Sequence, residues 1–328
     1  MKSPAAAFLA LAATTSFASG TITDVPGIKV GSVTLTEKPT GCTVILAEGP
    51  PTAAGVVQGA TPGVSQRGGA PATKETDLMD PMNHVDQANA IVLSGGSAFG
   101  LDASTGTMRW LEEQHIGWSV AAAGVVPIVG AASLFDLPFD GKPKIRPTAD
   151  CGYKAAAAAS ADPVAMGTVG AGAGATVGKM GGPGRSMKGG LGSASIKLPN
   201  GLVVGAIVAV NSVGDIIDPS TGKVIAGALN PDDTFADARV LLRTGGRRQR
   251  PRPGENTTIG VVATNAKLTK AQATKMAMMA DDGYARAISP AHTPADGDTI
   301  FALATGRFEG EADLSLIGAL AAEAMSDA

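Results

Sequence analysis

Thr257 stands where a backbone could cut itself. Glu255-Asn256-Thr257-Thr258 closes a polar, proline-broken loop (243–255) and opens an apolar strand. A threonine hydroxyl so placed can attack the carbonyl before it, turning the amide into an ester that water hydrolyses. The new chain then starts with a free amine on the residue that carries the hydroxyl. An α-amine has a reference pKa of about 7.7–8.0, so a useful part of it is neutral near pH 7 and can take the hydroxyl proton. Taken alone, Asn256-Thr257-Thr258 equally begins a β-strand. It also matches a glycosylation sequon, which short sequences reach by chance.

Other residues offer other chemistry. Gly95-Gly96-Ser97-Ala98-Phe99-Gly100 sits between a strand and a helix, as a hydrolase elbow would, but Phe99 breaks the G-x-S-x-G pattern. Of the histidines, His84 and His115 precede or barely follow Ser97; His292 alone has the chain order an elbow needs. Ser97 with His292 is therefore a rival nucleophile and base. Gly170-Ala171-Gly172-Ala173-Gly174-Ala175 loosely resembles a dinucleotide fingerprint, without a clear strand before it or an acidic residue at the right distance. After Gly178-Lys179, Met180 stands where a phosphate loop needs Ser or Thr. No histidine pair has metal spacing and no CxxC exists, so neither a metal nor an organic cofactor is expected.

Composition narrows the classes further. The net charge is −3 and the one basic run, Arg247 to Arg252, is broken by proline. Nucleic acid as a partner is not expected. Cys42 and Cys151 read as two separate buried thiols, with one disulfide as the alternative. Lys2 followed by an apolar stretch and small residues resembles a secretory signal ending near Ala18 or Gly20. The other reading of 1–20 is a disordered extension of a cytoplasmic enzyme; the signal reading implies a periplasmic or secreted protein. No other run suits a membrane span.

These candidate groups need elements to hold them. Strands are predicted at 28–33, 43–46, 54–58, 90–93, 202–210, 258–264 and 299–304. Helices are predicted at 101–114, 155–159, 234–242, 270–287 and 314–325. Residues 66–71 and 77–83 read as loops, and 167–192 as a glycine-rich stretch with little propensity. Strands and helices alternate in mixed order, so the expected class is α/β, in layers around a substantial sheet.

Several longer motifs, in order, carry a resemblance. They are Ile22-Thr23-Asp24-Val25-Pro26-Gly27-Ile28, Arg67-Gly68-Gly69-Ala70-Pro71, Leu93 to Leu101, Gly174-Ala175-Thr176-Val177-Gly178-Lys179 and Met187-Lys188-Gly189-Gly190-Leu191-Gly192. Over about 22–306 the chain resembles the self-processing aminopeptidases. That family includes D-aminopeptidases and β-peptidyl aminopeptidases, with the nylon-oligomer endohydrolases as another branch.

The resemblance implies an αββα sandwich similar to N-terminal-nucleophile hydrolases, with altered strand connectivity. It implies one catalytic domain, 21–328, self-cleaved into 21–256 and 257–328, with Thr257 as the nucleophile. Lys179 matches a lysine near the nucleophile that tunes charge, and Asn211 the amide that donates to the oxyanion. Asp296 and Asp298 match the stretch that orients the nucleophile and its amine. Tyr153 is a tentative match to a tyrosine lining the site, although Cys151 competes for that position. Ser97 falls in a stretch read as a pocket wall or as a tight turn. Relatives imply a homotetramer of cleaved units.

Substrate evidence divides. Thr257 and Asp296-Gly297-Asp298 point to the nylon-oligomer branch; Leu93 to Leu101 and Met187 to Gly192 point to the general aminopeptidases. The expected substrates are short peptides, including D- or β-amino acid amides, or ω-amino acid oligomers. The rival functions are an acyltransferase of the ornithine acetyltransferase type and a non-catalytic binding protein with an intact Asn256–Thr257 bond.

Overall fold

The computed structural model describes residues 20–51, 57–246 and 254–328. The signal-like segment 1–19, most of the strand expected at 54–58, and 247–253 of the polar loop lie outside them.

Ten strands form two sheets. They are β1 (Ile28–Thr34), β2 (Gly41–Ala47), β3 (Thr61–Gln66), β4 (Thr73–Lys74), β5 (Ala90–Ser94), β6 (Val129–Ser133), β7 (Gly190–Lys197), β8 (Val203–Asn211), β9 (Thr257–Thr264) and β10 (Thr299–Ala304). The first sheet has the order β1-β2-β5-β6-β4 and the second β7-β8-β9-β10-β3. Both mix parallel and antiparallel pairs: β5 runs parallel to β6, and β9 parallel to β10. The helices are α1 (Ala103–Glu113), α2 (Ala149–Ala157), α3 (Ala238–Thr244), α4 (Lys270–Ala287) and α5 (Leu314–Asp327).

The central strands are buried on both faces, so side chains of alternate residues enter different cores. Ile45, Ile91, Ile207, Val261 and Phe301 fill the layer between the sheets. Their neighbours Val44 and Val92 face α1 and α2, whereas Val208, Val262 and Ile300 face α4 and α5. The result is the expected αββα sandwich. Each fully buried side chain of this size contributes about 1.5–3 kcal/mol relative to exposure.

Lys270–Ala287 is helical over the predicted span; Thr269 and Gln272 close its start with a reciprocal capping box. The helix expected at 101–114 begins as a 3-10 segment, Ser97–Asp102. The one expected at 234–242 starts only at Ala238, behind an Asp237 cap. Four strands were not predicted: β4 has only two residues, and β3, β6 and β7 carry Pro62, Gly63, Gly130 and Gly192, which weaken the local signal. β3 is an edge strand, where proline is tolerated, and its partner β10 lies more than 200 residues away.

The cysteine expectation is overturned. Cys42 on β2 and Cys151 on α2 form a disulfide, with Cα atoms 6.2 Å apart. Docking of α2 on the first sheet turns both side chains into one interface. The bridge closes a loop with a sequence separation of 109, which in the chain-entropy view stabilises by about 4–5 kcal/mol. Replacing both cysteines with alanine should lower unfolding stability by about 2–5 kcal/mol in a denaturant titration. A loss under 1 kcal/mol would show that the bridge contributes little.

Candidate active site

Strand register builds the site. In the β8–β9 pair Asn211 lies opposite Thr257, so the last residue of one strand meets the first of the other. One residue earlier, Asn256 makes a parallel bridge with Asp296 in the loop before β10. That loop is held from behind by Gly68-Gly69-Ala70: Gly68 N–H donates to the Asp298 carbonyl (3.2 Å) and Ala70 N–H to the Asp296 carbonyl (2.9 Å). A Cβ on Gly68 would lie 2.2 Å from the Asp298 nitrogen, so only glycine permits this approach. The Arg67 to Pro71 motif is thus a backbone cradle for the two aspartates.

Thr257 is buried, and its hydroxyl donates to the carbonyl oxygen of Asn256. The same carbonyl accepts from Gly297 N–H at 3.0 Å. The Asn256–Thr257 peptide therefore has a hydroxyl against its carbonyl and a backbone donor on its oxygen. A Cβ on Gly297 would stand 2.8 Å from Thr257 Oγ and 2.7 Å from the Ala70 carbonyl oxygen, so glycine is required here as well. Gly297 was not anticipated as a site residue; its place between two aspartates was the available signal.

Lys179 enters from a 3-10 turn, Lys179–Gly181. Its Nζ donates to Asn211 Oδ1 (2.9 Å) and the Asn211 carbonyl (3.0 Å), and lies 3.5 Å from the Glu255 carbonyl. Burial pulls its pKa down to about 7, against the opposing pull of Asp296, Glu255, Asp136 and Asp298. Lysine at such a value exchanges a proton near neutrality. Asn211 is fully buried; its Oδ1 also accepts from Thr176 N–H (3.0 Å), and its Nδ2 donates to the Phe135 carbonyl (3.1 Å). The donor on the Asn256 carbonyl is thus Gly297 N–H, while the Asn211 amide is committed to Phe135.

The two aspartates divide their contacts. Asp298 Oδ1 accepts from Thr258 N–H (2.8 Å) and Oδ2 from His292 N–H (2.9 Å). Asp296 Oδ1 accepts from Val213 N–H (3.1 Å), and Oδ2 from the Thr293 hydroxyl. Burial first, then the charge of Asp298, pushes the Asp296 carboxyl up to about 6.

A cleft of about 470 Å³ opens beside these groups, with Asn256 and Lys179 on its wall. Phe135, Phe139 and Pro183 give it an apolar side, and Asp136 an acidic one.

Thr257, Asn256, Lys179, Asn211, Asp296 and Asp298 therefore converge; Ser97 and Tyr153 do not join them. Ser97 is outside the cleft lining, though Gly96 N–H donates to Asp136 at 2.8 Å, so its turn backs the acidic wall. The ring of His292 meets Asp298, Asp281 and Tyr284, not Ser97. Tyr153 lies on α2, where its hydroxyl donates to Glu113 at 2.6 Å and Arg109 sits over its ring.

Comparison with known proteins decides the family, since the description Peptidase family S58 matches residues 20–328. The chain belongs to peptidase family S58. An uncharacterized aminopeptidase of Mycobacterium tuberculosis is 45% identical over 301 residues, covering 87% of this chain and 81% of that one. The 6-aminohexanoate-oligomer endohydrolase of Kocuria sp. is 28% identical over 330 residues, covering 93% and 83%. Among solved structures, a Burkholderia sp. β-aminopeptidase superposes with a TM-score of 0.63 at 24% identity, covering 94% and 84%. The L-aminopeptidase D-Ala-esterase/amidase of Ochrobactrum anthropi, described as a variant of the Ntn hydrolase fold, gives 0.64 at 20%, covering 95% and 85%. The S58 chain is accordingly a hydrolase of the peptidase and amidase type on an N-terminal-nucleophile-hydrolase fold. Among its described residues no helix is long and apolar enough to cross a membrane.

Proposed function

We propose that this S58 peptidase cuts itself between Asn256 and Thr257 and then uses Thr257 as an N-terminal nucleophile on short peptides or linear oligoamides. The observation that carries the reading is the buried Thr257 hydroxyl against the Asn256 carbonyl, with Gly297 N–H on the carbonyl oxygen. Such a donor stabilises charge that develops on that oxygen.

In the first reaction Thr257 Oγ attacks the Asn256 carbonyl carbon and its proton passes to neutral Lys179. The tetrahedral oxyanion is held by Gly297 N–H. Collapse breaks the C–N bond, the Thr257 nitrogen takes a proton, and an ester joins Asn256 to Thr257 Oγ. Water then hydrolyses the ester, leaving an Asn256 carboxylate and a free Thr257 amine. In the second reaction that amine accepts the Oγ proton as Oγ attacks a substrate amide. The leaving amine departs protonated, and water resolves the acyl-enzyme. Asp296 and Asp298 orient the Thr257 amine, and Lys179 balances charge. Asn211 Nδ2 keeps one N–H on the Phe135 carbonyl and offers its second N–H to the substrate oxyanion.

Aminopeptidase action on short peptides is the favoured substrate class, because the 45% identical relatives are named aminopeptidases and the oligoamide hydrolases stand at 28–29%. The Cys42–Cys151 bridge supports an oxidising compartment, in line with the signal reading of 1–20. Exposed Ile225, Phe235, Val240 and Leu242 supply apolar surface for a four-unit assembly.

Intact mass and N-terminal sequencing of the purified protein test the reading. A small fragment beginning at Thr257 is expected, and the same sample under native conditions should weigh as four cleaved units. A single uncut chain that still hydrolyses amides would remove the nucleophile; a native mass of one unit would remove the assembly alone.

A further inference from the structure

A histidine outside the converging set sits between two buried carboxylates. His292 lies in the loop from β-bridge residues Ile288–Ser289 to β10, and its ring is mostly buried. Its Nδ1 is 3.1 Å from Asp298 Oδ2, and its Nε2 is 4.0 Å from Asp281 Oδ1. Both ring nitrogens are shielded from solvent and neither makes an in-line hydrogen bond, so the carboxylates are what they face. We propose that His292 is a positioning residue: an imidazolium clamped between Asp281 and Asp298 that holds the Asp298 carboxylate aimed at the start of β9.

The chain of contacts is continuous. Ser65 at the end of β3 donates to Asp281 Oδ2 at 2.6 Å, and the Arg67 guanidinium reaches the same oxygen at 3.2 Å. Asp281 projects from α4 toward His292, and Tyr284, one turn later, places its ring 6.0 Å away. Beyond His292, Asp298 Oδ1 receives Thr258 N–H, the residue after the nucleophile. With both carboxylates charged and the ring neutral, two negative charges would share one buried pocket, offset by half-exposed Arg67 beside Asp281 and by Lys179, which Asp298 also attracts. A proton on the ring relieves that repulsion.

The groups facing the ring are thus Asp298 from its own loop, Asp281 and Tyr284 from α4, and Arg67 through Asp281. Burial opposes the imidazolium, but the Asp298 contact and the charges of Asp298 and Asp281 outweigh it and raise the pKa. A raised histidine pKa means that the clamp is complete below the ordinary value and is lost as pH rises through the folded one. For the enzyme this appears as a fall on the alkaline side of kcat/KM. That consequence rests on Thr257 as nucleophile; the clamp does not.

The test is an NMR titration of the imidazole Cε1 protons, with His292→Gln assigning one of the chain's three histidines. Asp281→Asn removes a facing carboxylate and should move the His292 midpoint acidward by about one unit. Arg67→Met removes an opposing cation and should move it the other way, by less because Arg67 is half-exposed. The alkaline limb of kcat/KM should follow both shifts, which a merely structural role would not cause. A midpoint that neither variant moves overturns the clamp, and a limb that stays put while the midpoint moves overturns its role in positioning. Because the titration works on the whole chain, an uncut wild type would remove the Thr257 reading while the midpoints still decide the clamp.

Discussion

Thr257→Ala should leave the chain in one piece and lower kcat/KM by about 10⁴-fold or more. Alanine removes the atom proposed to attack in both reactions, so maturation and turnover should be lost together. The change should disturb the fold little: Thr257 lies at the first position of β9, its backbone pairing with Asn211 is unaltered, and its hydroxyl bonds only to its own preceding carbonyl. Thr257→Ser keeps the hydroxyl and should still be cut, with activity within about tenfold. Mass spectrometry of both variants, beside steady-state kinetics on a short peptide amide, reads all of this. Cleavage in Thr257→Ala would show that another group attacks. Full activity in an uncut Thr257→Ala chain would exclude Thr257 from turnover and return the search to Ser97.

Lys179→Met should separate activity from stability. The lysine is part-buried on the cleft wall, desolvation pulls its pKa down to about 7, and it lies within reach of the carbonyl that precedes Asn256. In the proposed self-cleavage it accepts a proton, and for that it must be neutral. The first-order rate of fragment appearance in wild type should therefore rise with pH through about 7 and level off above it. Methionine has no base, and maturation should slow by about 10²–10⁴-fold with the rise near pH 7 gone.

Stability should move the opposite way. The unfolded chain holds the lysine proton up to about pH 10.4 while the folded chain releases it near 7, so the desolvated cation weakens the fold at and below neutrality. That cost fades as pH climbs from about 7 toward 10.4. Methionine removes it, at the expense of acceptors on Asn211 left without their donor. A net gain of at most about 4 kcal/mol near pH 7 is expected. A slower-maturing variant with an unchanged or lower Tm would argue that Lys179 is charged and well compensated, and so not the base.

The sequence alone carried the polarity of the site. Apolar runs bounded by glycine, proline and polar residues identify β8, β9 and β10, and the Met- and Ala-rich run 270–287 identifies α4; these four elements frame Thr257. The Asn256-Thr257 junction stands out because it joins a polar loop to an apolar strand, whereas Asp296-Gly297-Asp298 is singled out only by the resemblance to the self-processing aminopeptidases. The runs and the junction are local properties, expressed within ten or twenty residues.

Tertiary structure alone decided the rest, because it depends on which distant segments touch. Pairing of β3 with β10 across more than 200 residues swings Gly68-Gly69-Ala70 behind the aspartates, which no local pattern encodes. Docking of α2 on β2 joins Cys42 to Cys151, two residues whose spacing resembled separate thiols. Tyr153, a tentative site residue in sequence, is carried to the outer helical layer by that same docking. The properties of Lys179 and His292 come from burial and from neighbours on other elements. A lysine in a glycine-rich stretch reads as solvated until the fold closes over it, and a lone histidine has no meaning until two carboxylates are brought to its ring.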